Sequence, residues 1–188
     1  MTAGRPFEPR IVIRLGGRTL GGLREWAPRW EEVGADGLAL EGSPDEPLVD
    51  GVAGLLRESC ALPLELHLPE GVPPDPAWAG PLEGVLDWVV PGHPLPGEVI
   101  RALEGAGIRV AWPLGAAPPP GAARVHARTN RPDPGLFREA PAGAERSLTL
   151  AGEQTPVTPA GAGVDTLVLG EEYLDPADPA AALARWRG

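Results

Sequence analysis

Residues 23–41 read LREWAPRWEEVGADGLALE and predict a helix, a turn and a strand in succession. Four apolar residues at spacings of three and four mark one face of the helix: Leu23, Trp26, Trp30 and Val33. A Gly-Ala-Asp turn follows, and residues 37–41 then form a short apolar run of strand length. A helix that packs on a sheet and leads straight into a buried strand is the repeating unit of α/β proteins.

The same alternation of short apolar runs and helical patterns recurs along the chain. Eight runs of strand length lie near turn residues: 11–15, 37–41, 64–68, 85–90, 108–112, 123–127, 147–150 and 166–169. Strands that alternate with helices form a parallel sheet with the helices outside, and eight such units predict a closed (β/α)8 TIM barrel. An open, doubly wound sheet is the alternative. Residues 1–188 are expected to form a single domain.

The chain is short for this architecture. Its 188 residues leave about 23 per unit, whereas such barrels usually use about 250 residues in all. The 26 glycines and 25 prolines are densest in four connections: residues 71–80, 115–121, 131–143 and 155–163. We therefore predict full helices only after strands one, two, four and eight. Helices three, five, six and seven should be short, 3₁₀-like or replaced by loops.

The charge and composition exclude several function classes. The net charge is -10, and all 16 basic residues are arginine, so neither nucleic acid nor an anionic membrane is an expected partner. Without lysine there is no Schiff-base chemistry, and with Cys60 alone there is no internal disulfide. No apolar run approaches 18 residues, and the first residues do not resemble a signal peptide. These features predict a cytoplasmic protein, and the arginine-only, Ala/Gly/Pro-rich usage is typical of a high-GC bacterial genome.

Three segments resemble the ribulose-phosphate-binding barrels, most of all the D-ribulose-5-phosphate 3-epimerases. Residues 23–41 are similar to the family's first helix, its Gly-Ala-Asp turn and its second strand. Residues 64–69, LELHLP, resemble its third strand with the His-Leu pair. Residues 163–186 resemble its eighth strand, the phosphate-loop glycine and the last helix. The resemblance implies a barrel, a small phosphorylated ligand and isomerase chemistry, although related phosphate-binding synthases share parts of the pattern.

The resemblance also implies a degenerate catalytic site. Epimerases of this family hold a divalent metal with two His and two acidic residues, and two carboxylates move a proton between opposite faces of an enediolate. The four ligand positions fall here on Ala39, Glu41, His67 and Ala151, with Glu153 two residues further on. Two ligands are therefore absent. Glu41 and His67 remain as an acid–base pair or, with Glu153, as ligands of a divalent metal.

The ligand-binding positions implied by the family lie at the same end of the barrel. Phosphate in such barrels binds backbone N–H groups after strands seven and eight. Gly152 and Gly170 are the candidates for these N–H groups, and His93 and Arg128, which fall at or near the carboxyl ends of the strands, are further candidate ligand-binding residues. Carboxylates stand beside the two glycines, at Glu153, Glu171 and Glu172, and would repel a phosphate dianion.

Two functions from different classes remain open at this point. The first is a divergent epimerase-like barrel that binds a small polar or phosphorylated ligand at its rim, with the family's catalysis weakened or lost. The second is a non-catalytic scaffold or protein-interaction barrel. His126 lies in a weak strand and could face into the barrel or away from it. The sequence is compatible with a homo-oligomer and leaves open whether the protein is an enzyme.

Overall fold

The computed structural model describes residues 9–15, 20–42, 47–130, 133, 135–151, 163–174 and 177–187. Its strands are β1 (Arg10–Arg14), β2 (Gly37–Glu41), β3 (Leu64–Leu68), β4 (Trp88–Pro91), β5 (Arg109–Val110), β6 (Trp112–Pro113), β7 (Arg124–Thr129), β8 (Glu145–Leu150) and β9 (Thr166–Gly170).

The strands form a parallel barrel. Their order is β5-β4-β3-β2-β1-β9-β8-β7-β6, and every described pairing is parallel. The first and last strands pair in register from Arg10↔Thr166 to Arg14↔Gly170. β5 and β6 are two halves of one strand interrupted at Ala111; the first half bonds to β4 and the second to β7, which completes the ring. The predicted (β/α)8 barrel is confirmed, and the open-sheet alternative is wrong.

Full helices lie where the sequence predicts them. They are α1 (Leu20–Glu32), α2 (Pro47–Ser59), α4 (Gly97–Gly105) and α5 (Pro179–Arg187). The third connection holds only a 3₁₀ turn, Pro76–Trp78, and the one-turn helix α3 (Ala79–Leu82). Residues 114–123 form turns without a helix, as do the described residues of the next connection. The seventh connection, 152–162, lies outside the described residues. None of the described helices has the length and apolarity needed to cross a membrane.

Side chains alternate between the two faces of each strand. Leu64, Leu66 and Leu68 of β3 belong to the main apolar core between the barrel and its helices. The residues between them, Glu65 and His67, are also buried. Because successive side chains point to opposite faces of a strand, these two polar residues face the barrel interior. The barrel is therefore apolar around its outside and partly charged within.

Three aspartates tie neighbouring strands together at the amino end of the barrel. Each stands one residue before a strand and accepts a hydrogen bond from the backbone of the adjacent strand: Asp36 from Ile11 N (2.8 Å), Asp87 from Leu64 N (2.9 Å) and Asp165 from Arg146 N (2.8 Å). Each also forms an ion pair with an arginine. We call these residues the strand-tying aspartates.

Candidate functional site

The polar side chains inside the barrel form three levels. The level nearest the amino ends of the strands is built around Arg124 of β7. This guanidinium is 0 % exposed, and its Nη1 donates to Glu65 Oε1 at 2.5 Å. Its Nη2 lies 2.8 Å from Glu145 Oε1 but makes no hydrogen bond there, so this contact is an ion pair only. The guanidinium carbon also lies 3.9 Å from the ring centroid of Trp88. Two carboxylates and an aromatic face compensate its charge, while its Nε and Nη2 have no hydrogen-bond partner among the described residues.

The middle level consists of two histidines from β3 and β7, which are not neighbours in the ring. The rings of His67 and His126 meet edge to face with their centroids 5.2 Å apart. His126 Nδ1 lies 2.8 Å from Ser147 Oγ, and its Nε2 lies 3.2 Å from Thr149 Oγ1. Burial and then the neighbouring His67 hold the pKa of His126 well below its usual value. His126 is therefore a neutral imidazole whose two nitrogens both face hydroxyl groups.

His67 has a different partner. Its Nε2 lies 3.2 Å from Glu65 Oε2. Burial alone would raise the pKa of Glu65, but the hydrogen bond with His67 and the charge of Arg124 outweigh it and lower that pKa to about 2. Glu65 is thus a carboxylate at any ordinary pH. No described group bonds His67 Nδ1, and His67 lines the cleft described below.

The top level is a chain of alternating charges across the mouth of the barrel. Glu41 Oε1 accepts from Arg128 Nη1 and Glu41 Oε2 accepts from Arg14 Nη1, both at 2.8 Å. Arg14 Nη2 donates to Glu172 Oε1 at 3.0 Å. Burial would raise the pKa of Glu41, but the two arginines together lower it. Because β2 and β7 lie on opposite sides of the ring, the Glu41–Arg128 ion pair, here called the cross-mouth pair, spans the opening.

A cleft of about 660 Å³ opens on one side of the cross-mouth pair. It lies at the carboxyl ends of β3, β4, β6 and β7, and its volume is that of a small-molecule site. The side chains important for its chemistry are His67, His126, Arg128 and Glu70. Two imidazoles thus form the buried end of the cleft, while a half-exposed guanidinium and an exposed carboxylate stand nearer its opening.

The structure brings together only part of the residue set that the sequence predicts. Glu41 and His67 are register partners on adjacent strands, but each bonds a different group, and the carboxylate on His67 is Glu65 instead of Glu41. Arg128 lines the cleft, whereas neither Glu41 nor His93 is among the described residues that line it. His93 lies in the loop after β4 and is partly exposed. Gly152 and Glu153 lie outside the described residues.

The surroundings of Gly170 also differ from those expected of the family's phosphate site. Gly170 ends β9, and the Glu172 carboxylate lies so close to it that a Cβ atom at position 170 would collide with its oxygens. That carboxylate bonds Arg14. A protein carboxylate therefore stands where the resemblance implies a ligand phosphate.

The described residues do not fit a divalent metal. Glu41 is held between two guanidinium groups, which compete with a cation for its oxygens. Ala39, at one implied ligand position, is fully buried in an apolar cluster with Val12 and Val168. Within the part of the chain that the structure describes, no group of three or more His, Cys, Asp or Glu residues could hold a metal ion.

Sequence reasoning missed Glu65 and Arg124. Both lie two positions from a residue that it selected, in LELHL of β3 and RVHAR of β7. Residues two apart on a strand face the same way. The sequence did contain a signal for them. Polar residues alternate with apolar ones inside runs that are otherwise typical of a buried strand.

Comparison with known proteins establishes the fold but no family. No protein-family model matches the chain, and neither does any curated protein. Orotidine 5′-phosphate decarboxylase from Pyrococcus horikoshii OT3 is 16% identical, with a TM-score of 0.71 over 95% of this chain and 99% of that one. A tryptophan synthase alpha chain from Legionella pneumophila subsp. pneumophila is 15% identical, with a TM-score of 0.66 over 96% of this chain and 90% of that one. Identities this low show a shared fold alone.

Proposed function

We propose that this barrel is a divergent relative of the ribulose-phosphate-binding barrels that binds a small anionic molecule, polar or phosphorylated, in the cleft. The observation that carries the proposal is the cleft itself, about 660 Å³ in volume, lined by His67, His126 and Arg128. It lies at the carboxyl ends of the strands, where reactants bind in barrels of this architecture. Its volume suits a ligand of sugar-phosphate size.

Arg128 is the group expected to hold the ligand's negative charge. Its Nη1 is engaged by Glu41, but the side chain is 49% exposed. A guanidinium has five N–H donors in a planar fork, so further donors remain for a carboxylate or phosphate. Because the Glu172 carboxylate covers Gly170, we expect the anion beside Arg128 instead of at the family's phosphate position.

The chemistry of the ligand is supported by the structural neighbours only in outline. One of them is named for a substrate that carries a 5′-phosphate, which favours a phosphorylated ligand. Ribulose-5-phosphate epimerase activity is expected to be weak or absent, because Ala39 lies among valines and supplies no ligand to a metal.

Titration of the protein with inorganic phosphate and with D-ribulose 5-phosphate, followed by calorimetry, tests the proposal. Saturable binding is expected. In Arg128→Gln it should weaken about tenfold or more, since a charge-assisted hydrogen bond is worth about 1.5–3 kcal/mol. Arg101→Gln, an exposed change on α4, is the control and should bind like the wild type.

Failure of this experiment would favour the second function. If neither compound binds saturably, or if Arg128→Gln binds as tightly as the wild type, the ligand-binding proposal is wrong. The non-catalytic scaffold would then be the better account of the barrel.

A further inference from the structure

Three inward-facing residues form a continuous chain from the base of the barrel to the cleft. Arg124 Nη1 donates to one oxygen of Glu65 at 2.5 Å, and the other oxygen lies 3.2 Å from His67 Nε2. The side chains of Arg124 and Glu65 are 0 % and 1 % exposed, and His67 alone reaches the cleft. We call this chain the Arg124–Glu65–His67 triad.

We propose that His67 is a proton-transfer residue of the cleft and that Glu65 and Arg124 are its positioning residues. The inference rests on the proposed function, because it assigns chemistry to the same cleft. It extends that function from binding to catalysis and names a substrate class: a small anion with a C–H bond made acidic by an adjacent carbonyl group.

The carboxylate of Glu65 fixes the tautomer of His67. A neutral imidazole carries one proton, and an ionised carboxylate at Nε2 draws that proton to Nε2. The lone pair is then on Nδ1, which no described group bonds, in a residue that lines the cleft. A base within reach of the ligand and oriented by a third group is the arrangement expected of a general base.

Arg124 keeps Glu65 ionised. A buried carboxylate without a partner would take up a proton and lose its preference for the imidazole N–H. Arg124 approaches the oxygen of Glu65 that His67 does not use, so both interactions persist together. His126 differs from His67, because hydroxyl groups face both of its nitrogens and its pKa is lowered, so it acts as a neutral wall of the cleft.

The proton-transfer step needs no further reactant. The ligand's C–H proton moves to His67 Nδ1, and the electrons of that bond form an enolate. The resulting imidazolium keeps its Nε2–H on the Glu65 carboxylate, and return of the proton regenerates the neutral imidazole. Arg128 lines the same cleft and would hold the ligand's anionic group during both steps.

Hydrogen–deuterium exchange of dihydroxyacetone phosphate in D₂O, followed by proton NMR, tests the proton transfer. This probe is a small anion with acidic C–H bonds beside a carbonyl. The wild type should accelerate exchange at least about tenfold over His67→Gln, within the usual range for a general base. Phosphate titration in parallel separates the two proposals. If phosphate binds but exchange is no faster than with His67→Gln, the proton-transfer inference is overturned and the binding proposal stands.

The role of Glu65 is tested without any ligand. In ¹⁵N-histidine-labelled wild type, the neutral imidazole of His67 should show the tautomer protonated on Nε2. In Glu65→Gln that preference should weaken, because the carboxylate that draws the proton to Nε2 has gone. Glu98→Gln, a matched change at an exposed position of α4, should leave the preference unchanged. A wild-type His67 protonated on Nδ1 would overturn the positioning role even if Glu65→Gln failed to fold.

Discussion

His126 should make the protein sensitive to mild acid. Its folded-state pKa lies well below the usual value of 6.5, so below about pH 6.5 the unfolded chain binds a proton that the folded protein does not. The free energy of unfolding should therefore fall with pH by up to about 1.4 kcal/mol per unit. The pKa of Glu65 is lowered to about 2. Glu65 therefore adds a second loss of folding stability, which begins as the pH falls below about 4.5.

Urea unfolding between pH 7.5 and 5 measures this effect. His126→Gln should have a shallower pH dependence than the wild type. His93→Gln, at a partly exposed loop position, should keep the wild-type slope. Equal slopes for His126→Gln and the wild type would show that another group titrates.

At the scale of single residues, the sequence predicted where a side chain lies in the barrel better than it predicted which group that side chain contacts. Glu41 and Arg128 do lie at the mouth of the barrel, because the strand ends could be recognised from their apolar runs. The partner of His67 could not be predicted in the same way. Glu65 precedes it on one strand, but the charge that makes Glu65 a stable carboxylate comes from Arg124, 59 residues away in the chain. Only the closed ring brings these residues together.

The secondary-structure elements were predictable where local rules decide them. Apolar periodicity indicated the four full helices, and dense Gly and Pro indicated the short connections. Two details escaped these rules. The fourth strand begins at Trp88, because Val85 and Leu86 close a turn on Leu82. The fifth strand divides at Ala111, which reflects how its two halves turn toward different neighbours.

The strand-tying aspartates are the element-scale feature most open to test. Asp87 accepts from Leu64 N at 2.9 Å and from Arg57 Nη2 at 2.7 Å, so it joins β3, β4 and α2. Asp87→Ala should lower the free energy of unfolding by about 1–3 kcal/mol, since it leaves the Leu64 N–H without its acceptor and removes the counter-charge of Arg57, whose guanidinium keeps only Val85 O. Asp75→Ala is the matched control, because Asp75 is exposed and accepts only within its own turn. The denaturant midpoints of the two variants measure how much stability each has lost. Equal losses would contradict the role of Asp87 in tying the strands together.

In the whole molecule, three levels of polar contacts join β2 and β3 to β7 through the barrel interior. They are the cross-mouth pair, the edge-to-face contact of the two histidines and the Glu65–Arg124 ion pair. The turns of residues 114–123, just before β7, supply no helix to cover the outside of that strand. A shortened barrel that lacks part of its outer layer can thus be held from within. This arrangement requires an opposite charge or a hydrogen-bond partner beside each buried charge.

A double-mutant cycle on Glu65 and Arg124 tests this account. Arg124→Met alone leaves two carboxylates facing an apolar side chain, and Glu65→Leu alone leaves the buried guanidinium with one fewer counter-charge. Removal of one partner from a buried pair typically costs about 3–5 kcal/mol, a large share of the roughly 5–15 kcal/mol that stabilises a domain. In the double variant Glu145 still has Thr166 and Arg10 beside it, so its remaining contacts compensate its charge.

We therefore expect the double variant to be more stable than the less stable single variant, and the two losses to be far from additive. Urea unfolding of all four proteins at pH 7 measures the coupling. Additive losses would mean that the two residues act separately, and the barrel would then owe its closure to the apolar layer alone. A double variant that folds stably but no longer exchanges the protons of dihydroxyacetone phosphate would indicate that the charges are retained for chemistry at His67, since an apolar interior could have closed the same ring.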